Sequence, residues 1–258
     1  MIPRNTVEDI RRWPKGKLLL ALTAYDYPMA RVLDEAGVDI LHVGDSLGMV
    51  VLGFPDTTSV TMDDILRSVG AVARARQRAL LTADLPLGSY DTPERAVANA
   101  RVLTQAGADA VKVEGGREIL PQIQALRKAG IEVEGHLGML PQHVREEGGY
   151  KRKGKTAEEI SKLKDDAQAI VEAGVFSVVL EVVVPEIAEE LTQMLPVPTL
   201  GIASGLKTTG QIRVTHDILG LCPWFAPAHA KPVVRLSEQI TQAINDLKQQ
   251  LSASFGRL

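Results

Sequence analysis

One short connector recurs four times in the chain and limits its possible folds more than any other feature. The four copies read EAGVDI, QAGADAV, KAGIEV and EAGVFSV, and each places a glycine between a helical pattern and an apolar run. Glycine just past a helix end adopts a left-handed conformation without a steric penalty. The apolar run that follows is typical of a buried strand. The chain is therefore predicted to consist of repeated βα units.

Apolar runs and helical patterns alternate over most of the chain. We predict strands near residues 17–24, 38–43, 78–83, 109–114, 131–136, 175–181 and 197–202, and an eighth around 211–216. The predicted helices cover residues 27–36, 62–76, 92–106, 117–129, 157–173, 185–194 and 235–252. Thr156 and Glu159 have the spacing of a capping box, and Thr61 with Asp64 is a weaker version of it.

Eight βα units in 258 residues fit a (β/α)₈ TIM barrel, a fold of the α/β class. A doubly wound open sheet is the structural alternative, but its glycine-rich turn is missing, because the first strand ends in TAYDYP. No linker interrupts the pattern, so we predict one barrel domain over residues 1–258. Residues 1–14 are predicted to form a short helix that caps the barrel floor.

Charge and hydropathy exclude several kinds of partner. The net charge of −3 and the pI of about 6.0 do not suit nucleic-acid binding. The most apolar stretches are much shorter than the roughly 18–20 residues of a membrane helix. The chain has one cysteine, Cys222, and starts without an apolar signal-peptide core. We expect a cytoplasmic soluble protein.

Ionisable or polar side chains follow the predicted strands at the end where a TIM barrel carries its active site. In chain order they are Tyr25, Asp45 with Ser46, Asp84, Lys112 with Glu114, Glu134 with His136, and Glu181. The second to the sixth strand each end in an ionisable group. A chance distribution would scatter such groups over helices and turns, so their arrangement predicts a functional site.

Each of these residues also has an ordinary structural interpretation. Asp45 could cap a turn and Asp84 could begin one. Lys112 with Glu114 could be an ion pair that braces the barrel, and His136 could be a buried polar residue satisfied by its neighbours. Each interpretation stays open on its own, but all of them together are hard to sustain.

The residue types indicate metal-assisted proton abstraction. Carboxylates without cysteine ligands favour Mg²⁺ over Zn²⁺, and Asp45 with Asp84, and Glu114 close by, match its preference for oxygen ligands. Lys112 would neutralise an anionic substrate or a developing enolate. Glu181 ends the most apolar strand, where a poorly solvated carboxylate suits a general base. Such a site predicts removal of a proton next to a carbonyl.

Six segments resemble, in the same order, motifs of the ketopantoate hydroxymethyltransferase family. They are LTAYDYPMA, VGDSLGMVVLG, DLPLGSY, VKVEGG, GHLGMLPQ and GGYKRKGKT. The resemblance implies a cytoplasmic barrel enzyme of pantothenate synthesis, in the phosphoenolpyruvate mutase and isocitrate lyase superfamily. It implies that Mg²⁺ and 5,10-methylenetetrahydrofolate are used to convert 3-methyl-2-oxobutanoate into 2-dehydropantoate. It also implies a homo-oligomer, typically a decamer.

The resemblance also implies a role for each residue of the predicted site. The roles are metal binding by Asp45, Asp84 and Glu114; keto-acid binding by Asp45, Ser46, Asp84 and Lys112; removal of the C3 proton by Glu181; and lining of the pocket by Tyr25 and His136. Residues 201–230 depart from the usual family pattern, and we expect them to shape the pterin end of the site or an oligomer contact.

Two other functions remain as alternatives. A carbon–carbon lyase of the same superfamily would carry a catalytic cysteine soon after the strand that ends at Glu114, where this chain has GGREILPQ. A non-catalytic paralogue could bind a keto acid or a metal as a sensor or an assembly subunit. Binding alone does not require a base such as Glu181, which argues against the paralogue.

Overall fold

Eight parallel strands close into a barrel, and each strand pairs with the next in the chain. The computed structural model of the protein describes residues 3–224, 227 and 230–255. The strands are β1 Leu19–Thr23, β2 Ile40–Val43, β3 Leu80–Asp84, β4 Ala110–Glu114, β5 Glu132–Gly138, β6 Ser177–Glu181, β7 Thr199–Ile202 and β8 Gly210–Arg213. The closed order confirms the predicted TIM barrel and excludes the open sheet.

The described helices include the seven predicted between residues 27 and 252 and the short helix predicted within residues 1–14. They are α1 Val7–Arg11, α2 Tyr27–Glu35, α3 Leu47–Val50, α4 Met62–Ala75, α5 Pro93–Gln105, α6 Leu120–Lys128, α7 Ala157–Glu172, α8 Pro185–Met194, α9 Thr215–Ile218 and α10 Leu236–Phe255. The short helices α3 and α9 were not predicted. The predicted strand 211–216 was wrong at its end, because residues 215 and 216 belong to α9.

The four predicted connector glycines end helices as expected. Gly37, Gly107, Gly130 and Gly174 all have positive φ, between 77° and 115°. Gly107 also permits close packing, since a Cβ at this position would lie 2.6 Å from the Cβ of Ala73 on α4. The positive φ of all four glycines supports the βα periodicity that the sequence predicts.

Helix capping differs from the prediction in one detail. The Thr156 hydroxyl accepts from the amide of Glu159, but the Glu159 carboxylate accepts from the amide of Lys155 (2.7 Å), so the predicted reciprocal box does not form. A complete capping box forms instead at Thr61 and Asp64, where each side chain accepts from the amide of the other residue.

The barrel interior changes from apolar to polar along its axis. The apolar floor is a cluster of fully or nearly fully buried residues: Ile10, Leu19, Ala21, Ile40, Leu80, Ala110, Phe176, Val179, Leu200 and Ile212. Ile10 belongs to α1, which lies in the region predicted to cap the floor. Above the floor, buried His42, Thr82, Glu134 and Ser177 form a polar layer. The charged residues of the predicted site follow towards the carboxyl ends of the strands.

The chain divides into two compact units, residues 1–212 and 213–258. The first contains β1–β7 and most of β8; the second contains α9 and α10 and a cavity of about 260 Å³ lined by residues that include Asp217, Cys222 and Arg235. No helix among the described residues combines the length and hydropathy of a membrane span. A single domain over residues 1–258 stays a prediction.

Candidate active site

Asp45 and Asp84 meet at the carboxyl ends of β2 and β3. Both are buried, and Asp84 is only 1% exposed. The main-chain amide of Asp45 donates to Oδ2 of Asp84 at 2.9 Å, although the two residues are 39 positions apart. The Asp84 side chain therefore connects the end of β3 to the end of β2 and does not begin a local turn. The two predicted metal ligands lie side by side.

Lys112 lies between two buried carboxylates. Its Nζ is 3.0 Å from Oδ1 of Asp84 and 3.2 Å from Oε1 of Glu114. Burial opposes the charge on Lys112, but Asp84, Glu114 and Asp45 outweigh it and raise the lysine pKa well above its usual value. Burial also opposes ionisation of Asp84, but Lys112 and then His42 lower the Asp84 pKa. The three side chains form one charged network in the barrel interior.

His136 connects this network to Glu181. Its Nδ1 lies 3.2 Å from Oε1 of Glu114, and its Nε2 lies 3.4 Å from Oε2 of Glu181, whose side chain is 13% exposed. Burial and the Lys112 charge oppose protonation of the ring, but Glu114 and Glu181 outweigh them and raise the His136 pKa to about 9. The ring therefore lies between the two carboxylates, with its Nδ1 also 3.2 Å from the Lys112 Nζ.

Asp45 carries the least compensated charge of the cluster. Burial, followed by the charges of Asp84 and Glu114, raises the Asp45 pKa well above its usual value. Its Oδ2 accepts from a neutral donor, the side-chain amide of Gln142 (3.0 Å). Carboxylates that repel one another in this way are the environment that a divalent cation stabilises.

The residues of this cluster suit Mg²⁺ better than they suit a metal ion that takes all of its ligands from the protein. Within residues 3–224, 227 and 230–255, no three His, Cys, Asp or Glu side chains converge as a complete metal site. Mg²⁺ needs only one or two carboxylates and takes its other ligands from water and substrate. Adjacent Asp45 and Asp84 supply such a pair, and Glu114 lies beyond Lys112, which contacts both Asp84 and Glu114.

Ser46 and Tyr25 contribute hydroxyl groups beside the acids. Their hydroxyl oxygens lie 2.8 Å apart, which joins the ends of β1 and β2. The neighbouring Asp26 has an ordinary role, because it caps α2 by accepting from the amide of Met29. Tyr25 therefore lies beside Ser46, whereas the adjacent Asp26 caps a helix.

Glu181 is held by an unusual backbone. Val182, the next residue, has φ of 52°, a conformation that a β-branched residue rarely adopts. The amide of Met139 donates to the Glu181 carbonyl (2.8 Å), and Gly138 leaves room for that oxygen, since a Cβ there would lie 2.3 Å from it. Strained backbone held by its surroundings is common at functional sites.

The sequence did not reveal three buried residues that support the cluster. His42 Nε2 lies 3.3 Å from Oδ1 of Asp84, and Gln142 and Tyr90 are hydrogen-bonded to each other at 2.7 Å next to Glu114. His42 is inside an apolar strand, where the pattern indicates core. Gln142 lies in a 3₁₀ turn, Pro141–His143, without periodicity, although it ends the quoted segment GHLGMLPQ.

Glu134, which the sequence pattern places at a strand end, lies deeper than expected. β5 continues to Gly138, so Glu134 is fully buried below the charged cluster. The Ser177 hydroxyl donates to its Oε1 at 2.7 Å, and burial raises its pKa. Glu134 belongs to the polar layer above the floor.

A family model and two curated proteins that are similar to this chain carry descriptions of the same activity. A family model described as ketopantoate hydroxymethyltransferase matches residues 4–255. The chain is 49% identical over 248 residues to the 3-methyl-2-oxobutanoate hydroxymethyltransferase of Ignicoccus hospitalis, covering 95% of the chain and 94% of that protein. It is 50% identical over 253 residues to the protein of the same name from Pyrobaculum aerophilum, covering 96% and 95%.

Solved structures give a more distant likeness. Phosphoenolpyruvate phosphomutase from Streptomyces platensis subsp. rosaceus superposes with a TM-score of 0.67 at 16% identity, covering 95% of this chain and 88% of that one. Phosphonopyruvate hydrolase in complex with oxalate and Mg²⁺ gives a TM-score of 0.65 at 16% identity, covering 85% and 84%. At these identities the likeness supports the fold alone.

Proposed function

The chain belongs to the ketopantoate hydroxymethyltransferase family, and from this we propose that it uses Mg²⁺ and 5,10-methylenetetrahydrofolate to convert 3-methyl-2-oxobutanoate into 2-dehydropantoate. Membership of the family makes the chain a transferase. The name of its relatives points to hydroxymethyl transfer in pantothenate synthesis. The metal, the folate donor and the residue roles are the proposed part.

One observation carries the proposal: an unbroken series of contacts joins the paired acids to Glu181. It runs from Asp45 to Asp84, through Lys112 and Glu114, to His136 and then Glu181, with each separation between 2.9 and 3.4 Å. A reaction that removes a proton from carbon needs this combination of a place for the substrate's negative charge and a base.

The chain's own residues would act as follows. Mg²⁺ held by Asp45 and Asp84 would supply Lewis-acid polarisation, which makes the C3–H of the keto acid more acidic. Lys112 places a fixed positive charge beside the oxygens on which negative charge develops. Ser46 offers a hydroxyl to the substrate, and Tyr25 orients that hydroxyl. Glu181, at the edge of the cluster, receives the C3 proton.

The enolate carbon would then bond to the methylene carbon of the folate iminium, whose C=N π electrons move to the nitrogen. Water would supply the hydroxyl to that carbon as the carbon–nitrogen bond breaks, so that 2-dehydropantoate forms and tetrahydrofolate leaves with the remaining proton of the water. Holding the two reactants in register would supply much of the rate, since well-oriented pairs reach effective molarities of about 10⁵ M or more. We further propose that the enzyme is cytoplasmic and acts as a homo-oligomer, a decamer by family resemblance. Of residues 201–230, which we expect at the pterin end of the site or an oligomer contact, 225, 226, 228 and 229 lie outside the described residues.

Proton exchange tests the chemistry separately from the transfer. The protein is incubated with 3-methyl-2-oxobutanoate in D₂O, with and without Mg²⁺, and the C3 proton is followed by NMR. We expect exchange that needs Mg²⁺ and is lost in Glu181→Gln. Exchange that persists at the wild-type rate in Glu181→Gln would contradict the role of this residue.

Adding 5,10-methylenetetrahydrofolate to the same reaction tests the donor. We expect 2-dehydropantoate to appear, and exchange without this product would contradict the proposed folate donor. The lyase alternative is disfavoured, because the segment after β4 has no cysteine and the single Cys222 lies in residues 213–258. The non-catalytic alternative predicts binding of the keto acid without exchange.

A further inference from the structure

Gln142 contacts two of the three carboxylates expected around the metal. Its main-chain amide donates to Oε2 of Glu114 at 3.1 Å. Its side-chain Nε2 donates to Oδ2 of Asp45 at 3.0 Å and to the carbonyl of Leu85 at 3.0 Å. Gln142 is 2% exposed and comes from the turn after β5, so one buried residue links acids that belong to β4 and to the end of β2.

The orientation of the Gln142 amide is fixed by its surroundings. The Tyr90 hydroxyl donates to Oε1 of Gln142 at 2.7 Å and itself accepts from the amide of Glu114 at 3.3 Å. Tyr90 is the donor in its bond to Gln142, because the amide oxygen of Gln142 can only accept. A flipped amide would direct its oxygen at two acceptors, the Asp45 carboxylate and the Leu85 carbonyl, and would lose both of these bonds.

The side-chain amide of Gln142 is a neutral donor, and its lack of charge matters as much as its position. A lysine or arginine in the place of Gln142 would neutralise Asp45 and compete with a cation. An amide instead fixes one oxygen of the Asp45 carboxyl group without adding a positive charge that would compete with the cation. The same residue fixes Glu114 through its main chain, so the two carboxylates keep a constant separation.

We propose that Gln142 is a positioning residue that, oriented by Tyr90, holds Asp45 and Glu114 in the arrangement that binds a divalent cation. This inference rests on the Mg²⁺ site of the proposed function. Gln142 acts through the two carboxylates and does not itself contact the keto acid. Residues that orient metal ligands in this way typically change metal affinity by about 10- to 100-fold when they are replaced.

The test measures Mg²⁺ affinity directly by titration calorimetry, on protein saturated with 3-methyl-2-oxobutanoate. Gln142→Met removes the amide and keeps the length of the side chain, and Tyr90→Phe removes only the hydroxyl that orients it. Gln122→Met is the matched control, because Gln122 is also buried but donates to the carbonyl of Asp91 away from the acids.

We expect Gln142→Met to weaken Mg²⁺ binding about 10-fold or more. Tyr90→Phe should weaken it by a smaller factor, because the amide is still present, and Gln122→Met should leave it within about twofold of the wild-type value. Raising the Mg²⁺ concentration should restore C3 proton exchange in Gln142→Met. A structural role alone would not produce this recovery.

Two results would overturn the inference: Mg²⁺ affinity of Gln142→Met equal to that of Gln122→Met, or exchange that stays low at saturating Mg²⁺. Circular dichroism shows whether Gln142→Met folds. If it does not fold, the Mg²⁺ affinity of Tyr90→Phe is the deciding measurement, and an affinity equal to that of the wild type would overturn the inference. Wild-type protein that binds no Mg²⁺ would instead show that the proposed metal site is wrong.

Discussion

The main chain of Asp45 donates to the side chain of Asp84, so the two predicted metal ligands are joined directly by a hydrogen bond of 2.9 Å. The bond links the ends of β2 and β3, whose register pairs Val43 with Ala83. The separation of the two acids is therefore set by the barrel. A cation would bind to ligands that the fold has already positioned, which reduces the entropy lost on binding.

Lys112 should be essential for stability as well as for chemistry. Lys112→Met leaves two buried carboxylates, Asp84 and Glu114, without their shared cation, and this loss should lower the free energy of unfolding by about 3–5 kcal/mol. Urea denaturation measures the change. Addition of Mg²⁺ should recover part of it, since the metal replaces some of the missing positive charge.

The control for this prediction is Lys164→Met, which breaks an ion pair with Glu190 in which both side chains are exposed, by 38% and 52%. Loss of such an exposed pair should change the free energy of unfolding by less than about 1 kcal/mol. Similar losses for the two lysine variants would contradict the view that the buried network depends on Lys112.

Gly138 should control the position of Glu181. In Gly138→Ala the new Cβ would collide with the Glu181 carbonyl oxygen, 2.3 Å away, and displace the base. Because a displacement of about 1 Å can reduce catalysis about 100-fold, we expect C3 proton exchange to fall by at least about 10-fold. The rate is measured by NMR in D₂O.

Gly130→Ala provides the comparison, because Gly130 also has positive φ (77°), but a methyl group added there would meet no atom within 4 Å. Both alanine variants should lose about 1 kcal/mol from the unfavourable φ. Only Gly138→Ala should lose exchange when equal amounts of folded protein are compared. An equal loss of exchange in Gly130→Ala would refute the steric explanation.

Val182 should reverse the usual stability order of alanine and glycine. At most positions glycine is less stable than alanine by about 0.5–1 kcal/mol, because it loses more backbone entropy on folding. At φ of 52° alanine has a steric penalty of about 1–2 kcal/mol that glycine does not have. Val182→Gly should therefore be more stable than Val182→Ala by about 0.5–1 kcal/mol in urea denaturation, and the opposite order would show that this backbone is unstrained.

The Asp56–Arg145 ion pair should make the segment after the turn at Pro141–His143 sensitive to acid. The Arg145 guanidinium donates to both carboxylate oxygens, and this contact, followed by the Thr58 hydroxyl bond, lowers the Asp56 pKa to about 2. Because the pKa is lower in the folded state than its ordinary value of 3.8, the pair stabilises the fold above about pH 4. The stabilisation is lost as the pH falls towards 2.

Hydrogen exchange of the amides in residues 145–149 measures this effect. At pH 7, Arg145→Met should exchange several-fold faster than the wild type, and the two rates should converge as the pH is lowered from about 4 to about 2. Arg95→Met is the control, because it breaks a comparable exposed pair with Asp91 elsewhere. A ratio of wild-type to Arg145→Met rates that does not change with pH would contradict the assignment.

The sequence predicted the fold well, because the information that specifies it is local. Gly37, Gly107, Gly130 and Gly174 mark helix ends by a backbone property that depends on one residue. The end of β8 was misjudged because Thr215 is β-branched and suits a strand, whereas the structure places it in α9. Here packing overrides the intrinsic preference of the residue.

The candidate site was only partly predictable, because the contacts that build it join residues that are far apart in the chain. Asp45, Asp84 and Glu181 attract attention because charged residues interrupt apolar runs, and the structure brings them into one connected cluster. Gln142 and Tyr90 do not interrupt apolar runs with a charge, since an amide and a phenol are ordinary in turns and loops. Their importance comes from contacts across 52 and 97 positions of the chain, which no short-range pattern records.

The division of the barrel interior into an apolar floor and a charged mouth has a consequence for how such a protein can evolve. Substitutions around Phe176 and Leu200 can adjust thermal tolerance while they leave the charges above them undisturbed. Changes at the mouth can alter substrate preference without dismantling the base of the barrel. Selection for thermal tolerance can therefore act at the floor alone, whereas at the mouth, where Lys112 serves both stability and chemistry, the two kinds of selection act on the same residues.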